Sequence, residues 1–388
     1  MTGRFEALRF YAPFQPLFGA IFCCLLSVGA SLAVLPLYVK GELHGGDVMV
    51  GVVIAAIAVS AVVTRPIAGR YADRRGYKRV MLAGAVTCGV ASLAYLVASN
   101  EVVLVAVRIL HGAGEGMIYT AGAAWLVLLS PAARRGRVVG LYGIFMWTGI
   151  TLGALIGTLI LKSSGGYTAV WLFCVAAAAV GGLLVALKPK PEQPAPTARP
   201  PLVAPSAVLP GIALSLAAFG YAALAAFVVL HLDARGIGGG IAAFNAYGFT
   251  YVGVRLFLGA LPDKLGPSRV ALWSALVEAV GLLTVAVAPN LVVAVIGGLI
   301  VGAGLSLLFP ALALVVINRT EQSQQGAALG AFTSFWDIGL AAGGPLAGLI
   351  ATGWNYPGIY YTMTACAVAS AALALVEATG RARVPVPS

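Results

Sequence analysis

Charge is what this sequence has least of. Of its 388 residues only 10% are Asp, Glu, Lys or Arg and 60% are hydrophobic, whereas a water-soluble domain carries about 25% charged and 45–50% apolar residues. A soluble globular domain is thereby excluded, and lipid is the expected solvent. Cysteine is scarce too. Cys23, Cys24, Cys88, Cys174 and Cys366 all fall in apolar runs, without metal-site spacing or the loop placement of extracellular disulfides, so they read as packing residues. The chain lacks a glycine-rich phosphate-cradling loop, which argues against ATP hydrolysis. It also lacks a metal cluster and a nucleophile–base motif, which argues against an enzyme or a resident cofactor.

What the sequence does have is a succession of apolar runs of roughly 20 residues, each long enough to cross a hydrocarbon core about 30 Å thick. They are read at 13–39, 48–69, 78–98, 102–129, 138–160, 168–187, 208–231, 238–261, 269–288, 291–317, 326–352 and 356–378, which makes twelve. The first follows Arg4 and Arg9, yet it is too long for a signal peptide and precedes no small-residue cleavage site, so it is expected to stay attached. Eighteen of the 24 Lys and Arg fall on one side of these spans and only Lys40, Lys162 and Arg235 on the other. Because cytoplasmic loops retain positive charge, the expectation is a multi-pass protein of the cytoplasmic membrane with both termini inside. The net charge of +11 thus reflects topology and lipid contact; it forms no basic face for nucleic acid.

The proline-rich stretch Lys188 to Pro210 is the one long polar loop, a stiff linker between six spans and six. Across it the sequence repeats at an offset of 190 residues. Arg65, Gly69, Asp73, Gly76 and Arg79 recur as Arg255, Gly259, Asp263, Gly266 and Arg269, and Gly149 and Gly153 as Gly339 and Gly343. Parallel six-helix repeats joined by a central loop are a known transporter architecture.

The segment Gly69-Arg-Tyr-Ala-Asp73-Arg-Arg-Gly76-Tyr-Lys78-Arg79 resembles the loop 2–3 signature of the major facilitator superfamily. Within that superfamily the chain is similar to bacterial drug/proton antiporter-type exporters and, over nearly its whole length, to a YhhS-like branch. The closer likeness lies in Thr64 to Asp73, Gly302 to Pro310, Gln325 to Leu329 and Gly344 to Gly348. The resemblance implies an all-α membrane fold of 12 transmembrane helices in two pseudo-symmetric bundles, 1–187 and 208–388, joined by a cytoplasmic linker at 188–207. It further implies a monomer that works by alternating access.

Ionisable residues inside spans cost about 2.5–3.5 kcal/mol each, so each needs a partner or a purpose. Arg108, His111 and Glu115 are spaced to share one face of span 4 within about 60°, and their counterparts Gly298, Val301 and Leu305 are uncharged. The fold therefore does not require those charges. The resemblance places spans 1, 4, 7 and 10 along the cavity and Arg108 beside a proton-handling site, with Glu115 the expected proton carrier. The alternative is that Arg108 and Glu115 neutralise each other in helix packing. The antiporter pattern commonly has a glutamine near His111, so this sequence departs from it there.

Asp337, deep in span 11, has Trp147 as its counterpart and reads as either a cavity residue or a buried helix contact. Glu278 in span 9 reads as a packing residue ahead of a functional one, since the resemblance places ninth spans on the outer flank. Arg65 and Arg255 with Gly69, Asp73, Gly76, Lys78, Arg79, Gly259, Asp263, Gly266 and Arg269 read as a cytoplasmic gate, or the two inward arginines as a clamp on an anion. Gly149, Gly153 and Gly157 in span 5, and Gly343, Gly344 and Pro345 in span 11, mark close helix packing; the antiporter signature would place a proline where Ala154 stands. Tyr119, Trp125, Tyr142, Trp147, Phe332 and Trp336 are candidates for an apolar cavity wall or for packing.

The function expected is proton-driven efflux of a small organic or drug-like solute. The alternative is a uniporter, symporter or anion exchanger for a small organic anion or sugar-like metabolite.

Overall fold

The computed structural model describes residues 11–131, 134–164, 166–190, 205–321 and 325–380. The long elements among them are helices: α1 (Gln15–Gly41), α2 (Asp47–Arg75), α3 (Tyr77–Ala94), α4 (Glu101–Leu129), α5 (Arg135–Ser164), α6 (Tyr167–Leu187), α7 (Pro205–Ala234), α8 (Gly240–Leu258), α9 (Pro267–Val287) and α10 (Leu291–Ile317). A last helical run, Gln325–Gly380, breaks at Asn355, where φ is 68° and ψ 172°. It comprises α11 (325–354) and α12 (356–380). Eleven stretches are long and apolar enough to cross a membrane, and the final one, of 50 residues, contains this break. The described chain is therefore all-α with twelve membrane-crossing helices.

The internal repeat is visible in how the helices start and stop. Asn100 and Asn290, 190 residues apart, cap α4 and α10 through their side-chain oxygens, which accept from the amides of Val103 (3.0 Å) and Val293 (3.1 Å). Gly76 and Gly266 precede α3 and α9 with φ of 107° and 91°, a conformation open to glycine and costly for other residues.

These glycines also correct the sequence reading of the gate motif. Asp73 was expected in a loop, but α2 continues to Arg75 and carries it in its last turn, while Asp263 lies in a short helix, Leu261–Leu265. Loss of apolar character ends a span in the sequence, whereas the backbone ladder runs on until a glycine breaks it. Helix α7 begins at Pro205, three residues before the expected 208. Most of the linker (191–204), both chain ends with Arg4, Arg9, Arg381 and Arg383, and Arg199 lie outside the described residues.

Packing divides the described chain into two units: one runs to Val34 and resumes at Ser60 as far as the linker, and the other takes Leu35–Val59 and everything from Pro205 onward. In the first unit α3 packs on α4 and α6, and in the second α9 packs on α10 and on the α11–α12 run. Equivalent glycines permit this: a Cβ on Gly114 would lie 2.8 Å from the Cys88 amide nitrogen, and one on Gly304 would lie 2.5 Å from that of Glu278.

Inside the first unit, Gly149, Gly153 and Gly157 bring α5 against the α1 backbone at Phe22, Leu26 and Ala30. Inside the second, Gly339 and Gly343 do the same for α11 on α7. Gly344 and Gly348 face the backbone of Gly51 and Asp47, and Pro345 follows Gly344 without breaking α11. Asp47 accepts from Lys40 and from the Tyr356 hydroxyl, both at 2.8 Å, so one of the three basic residues on the far side is neutralised locally. The exterior is apolar, with Val63, Ile67, Val97, Val102, Phe257 and Trp273 all exposed. Lipid is the medium that such a surface requires.

Candidate functional site

The charged stripe on α4 divides into two groups, each meeting a different neighbour. Glu115 turns to α2: its Oε1 lies 3.4 Å from Nη2 of Arg65. The same guanidinium stands 4.5 Å from the centroid of the Tyr119 ring, one helical turn beyond Glu115, so carboxylate and ring on α4 hold the arginine together. The side chains of Arg65 and Glu115 retain 18% and 13% exposure, so the pair is not fully enclosed. Tyr142 of α5 closes the back of this group by donating to the Ile118 carbonyl (3.1 Å).

Arg108 and His111 lie elsewhere. Both are fully buried and meet at Tyr95, whose hydroxyl is 3.4 Å from Arg108 Nη1 and 3.1 Å from His111 Nδ1. The Tyr95 ring is stacked on Trp171 of α6 at 4.6 Å. Arg108 and His111 therefore belong to a sealed contact among the end of α3, α4 and α6, while Glu115 belongs to a partly exposed pair with Arg65. Sequence spacing put the three on one face but could not say which neighbour each would meet.

The repeat clarifies Arg65. Its counterpart Arg255 also reaches from one helix to the next, donating to the Ser306 carbonyl at 2.7 Å. Ser306 follows Leu305, the counterpart of Glu115. The two arginines thus occupy equivalent positions, and among the described residues only the first pairs with a carboxylate. That pairing was legible in principle, since Arg65 and Arg255 share the register and Glu115 is the position at which the register loses an acid.

In the gate motif, Lys78 donates to the carbonyls of Ala186 and Lys188, each at 2.7 Å, and so caps the C-terminus of α6. Asp73 accepts from the Tyr77 hydroxyl at 3.3 Å. Gly69 is helical within α2, while Arg79, Asp263 and Arg269 are exposed and Gly259 follows α8. Asp337 in α11 is 2% exposed. Next to it, Trp336 lies 5.8 Å from Tyr221 of α7, which lies 5.5 Å from Tyr247 of α8. Of this group Trp336 was a candidate from the sequence but Tyr221 and Tyr247 were not, because a tyrosine within an apolar run gives no sign of which helix it will meet. Of the aromatics proposed for a cavity wall, Trp125, Tyr142, Trp147 and Phe332 are buried.

The model of the Major Facilitator Superfamily matches residues 17–245 and 211–387. The chain belongs to that superfamily. It is 34% identical over 350 residues to the MFS-type transporter YhhS of Escherichia coli K12, covering 87% of this chain and 86% of that one. It is 31% identical over 366 residues to the MFS-type transporter STM4428 of Salmonella typhimurium LT2, covering 91% and 93%. These relatives place it in a YhhS-like branch. Among solved structures, its fold matches the nucleoside transporter NupG with a TM-score of 0.77 at 13% identity, covering 94% of this chain and 99% of that one. It matches the human organic anion transporter MFSD10 at 0.74 and 17% identity, covering 93% and 98%. At those identities the likeness concerns the fold. The chain is a multi-pass secondary transporter and not an enzyme.

Proposed function

We propose that this transporter is a proton-coupled exporter of small organic or drug-like solutes. It acts as a monomer in the cytoplasmic membrane with both termini inside, and it alternates access between bundles 1–187 and 208–388 across the linker 188–207. The observation that carries this reading is the partly exposed Arg65–Glu115 pair, at a position where the repeat has Leu305 instead. A guanidinium and a carboxylate in a low-dielectric setting attract strongly, and protonating the carboxylate removes that attraction. A proton on Glu115 frees Arg65 and the α4 face around Tyr119, and a bound solute that displaces Arg65 returns the proton. Arg108 and His111 serve this cycle by fixing α4 through Tyr95, and buried Asp337 of α11 is the candidate coupling residue of the second unit. The gate residues of the repeated motif hold helix ends, as Lys78 does for α6.

The test is reconstitution in liposomes containing a pH dye, screened with lipophilic cations, nucleosides and small organic anions. Solute-dependent proton movement is expected in the wild type. Glu115→Gln abolishes uphill transport and leaves solute exchange without a gradient intact. A solute that demonstrably crosses yet moves no protons overturns the reading.

One observation favours a second reading, an anion exchanger or uniporter. Arg255 is satisfied by a carbonyl, which leaves its charge available to an anionic solute. That reading expects transport indifferent to a pH gradient and lost in Arg255→Gln.

A further inference from the structure

Glu278 lies near the middle of α9, the twelfth of its 21 residues, and is completely buried. Among the described residues neither of its carboxyl oxygens has a hydrogen-bond partner, and no Lys, Arg or His pairs with it. Its surroundings are made of small residues. Gly220, at the middle of α7, faces it so closely that a Cβ there would stand 2.5 Å from Oε1, and Gly304 of α10 lies against its backbone. The titratable groups facing it are Tyr247 from α8 and Cys366 from α12. Neighbouring α7 and α10 present glycine.

The repeat makes this acid conspicuous. Its counterpart at the 190 offset is Cys88, set in the same way against Gly114, so the fold is content with an apolar group at this point. Where the second unit has an acid, it has also cleared space for one at Gly220.

A carboxyl with neither donor nor cation at hand is accommodated only while it carries its own proton. Ionised, it has to draw water or a cation to itself, and the side on which it can do so is the bare α7 backbone. Gly220 adjoins Tyr221, whose ring contacts Trp336 of α11 and Tyr247 of α8, so a shift of α7 at this point moves the aromatic group. A metal ion is a poor occupant: among the described residues no cluster of three His, Cys, Asp or Glu occurs, and a hard cation needs several oxygen ligands.

We propose that Glu278 is a second proton-binding site, in the C-terminal unit, whose protonated carboxyl seats α7 against α9 and whose deprotonation releases α7 at Gly220. The proton leaves to water admitted as the helices part and returns by the same route. This site stands apart from Glu115 and does not depend on the direction of transport.

The test uses the full chain in lipid nanodiscs with buffer pH as the only variable, so it needs no transported solute. Infrared difference spectra between acidic and alkaline buffer are expected to show the carbonyl stretch of a protonated carboxyl that disappears on the alkaline side and is missing in Glu278→Gln. Trp336 emission, isolated by subtraction of Trp336→Phe, is expected to titrate with the same midpoint and to be flat in Glu278→Gln. Should that variant not fold, Gly220→Ala, which presses a methyl group on the carboxyl, is expected to shift both signals. A band that persists to the alkaline limit of folding, a band unchanged by Glu278→Gln and Gly220→Ala, or a titrating band with an unresponsive Trp336 each overturns the proposal.

Discussion

At the scale of single residues, the molecule rests on positions where one atom more or less changes what the chain can do. Gly76 and Gly266 hold positive φ with extended ψ, a sparsely populated region where a Cβ costs roughly 1–3 kcal/mol. Gly76→Ala and Gly266→Ala are each expected to lower thermal stability by about that amount in a detergent-based unfolding assay, and Gly140→Ala, with open space around it, to leave it unchanged. Arg65 offers a second residue-scale outcome. It is held by both Glu115 and Tyr119, so Arg65→Lys, which keeps the charge but loses the planar fork and the stacking, is expected to reduce transport more than it reduces stability; initial-rate transport and thermal unfolding measured on the same preparation compare the two. Sequence reasoning singled out Glu115 through the broken repeat, but not its partner. Helical spacing fixes a face and leaves open what lies opposite, and Arg65 is 50 residues away in sequence. It likewise left Glu278 as a packing residue, since an apolar span says nothing of whether a buried oxygen meets a donor.

At the scale of helices, glycine spacing sets how near two axes come. A Cβ at Gly153 would drive into the Leu26 carbonyl of α1, and overpacking of this kind typically costs 1–3 kcal/mol. Gly153→Ala is therefore expected to lower the unfolding temperature and slow transport, because α5 can no longer slide along α1. Gly253→Ala on α8, again with open space, is the matched control for both readouts. This close-packed face was legible, since glycines every fourth residue in a helix line one side. The helix ends were less legible. Charges close an apolar run before the helix itself stops, so α2 and its Asp73 extend further than hydropathy suggests.

At the scale of the whole chain, the proposed orientation with both ends inside rests on an even count of twelve spans and on the side that carries most Lys and Arg. In a background without native cysteines, Lys190→Cys is expected to resist a membrane-impermeant thiol reagent in intact cells and to react after lysis, and Glu42→Cys to react in both. Labelling of Lys190→Cys from outside would reverse the orientation. The twelve helices and the repeat were plain in the sequence because lipid demands long apolar runs and duplication preserves their order. The division of packing through α1 and α2 was not, since it depends on contacts between distant residues. The unequal arginines bear on this largest scale as well. Arg65 shares its site with a carboxylate and adds no net charge there, whereas Arg255 is bonded to the neutral Ser306 carbonyl near the C-terminal end of α8. The membrane voltage acts on net charge, at about 2.3 kcal/mol per unit charge moved through 100 mV. Any stroke that carries α8 along the membrane normal is then electrically biased in the second unit, whereas at the matching place in the first the bias arises only while Glu115 holds a proton.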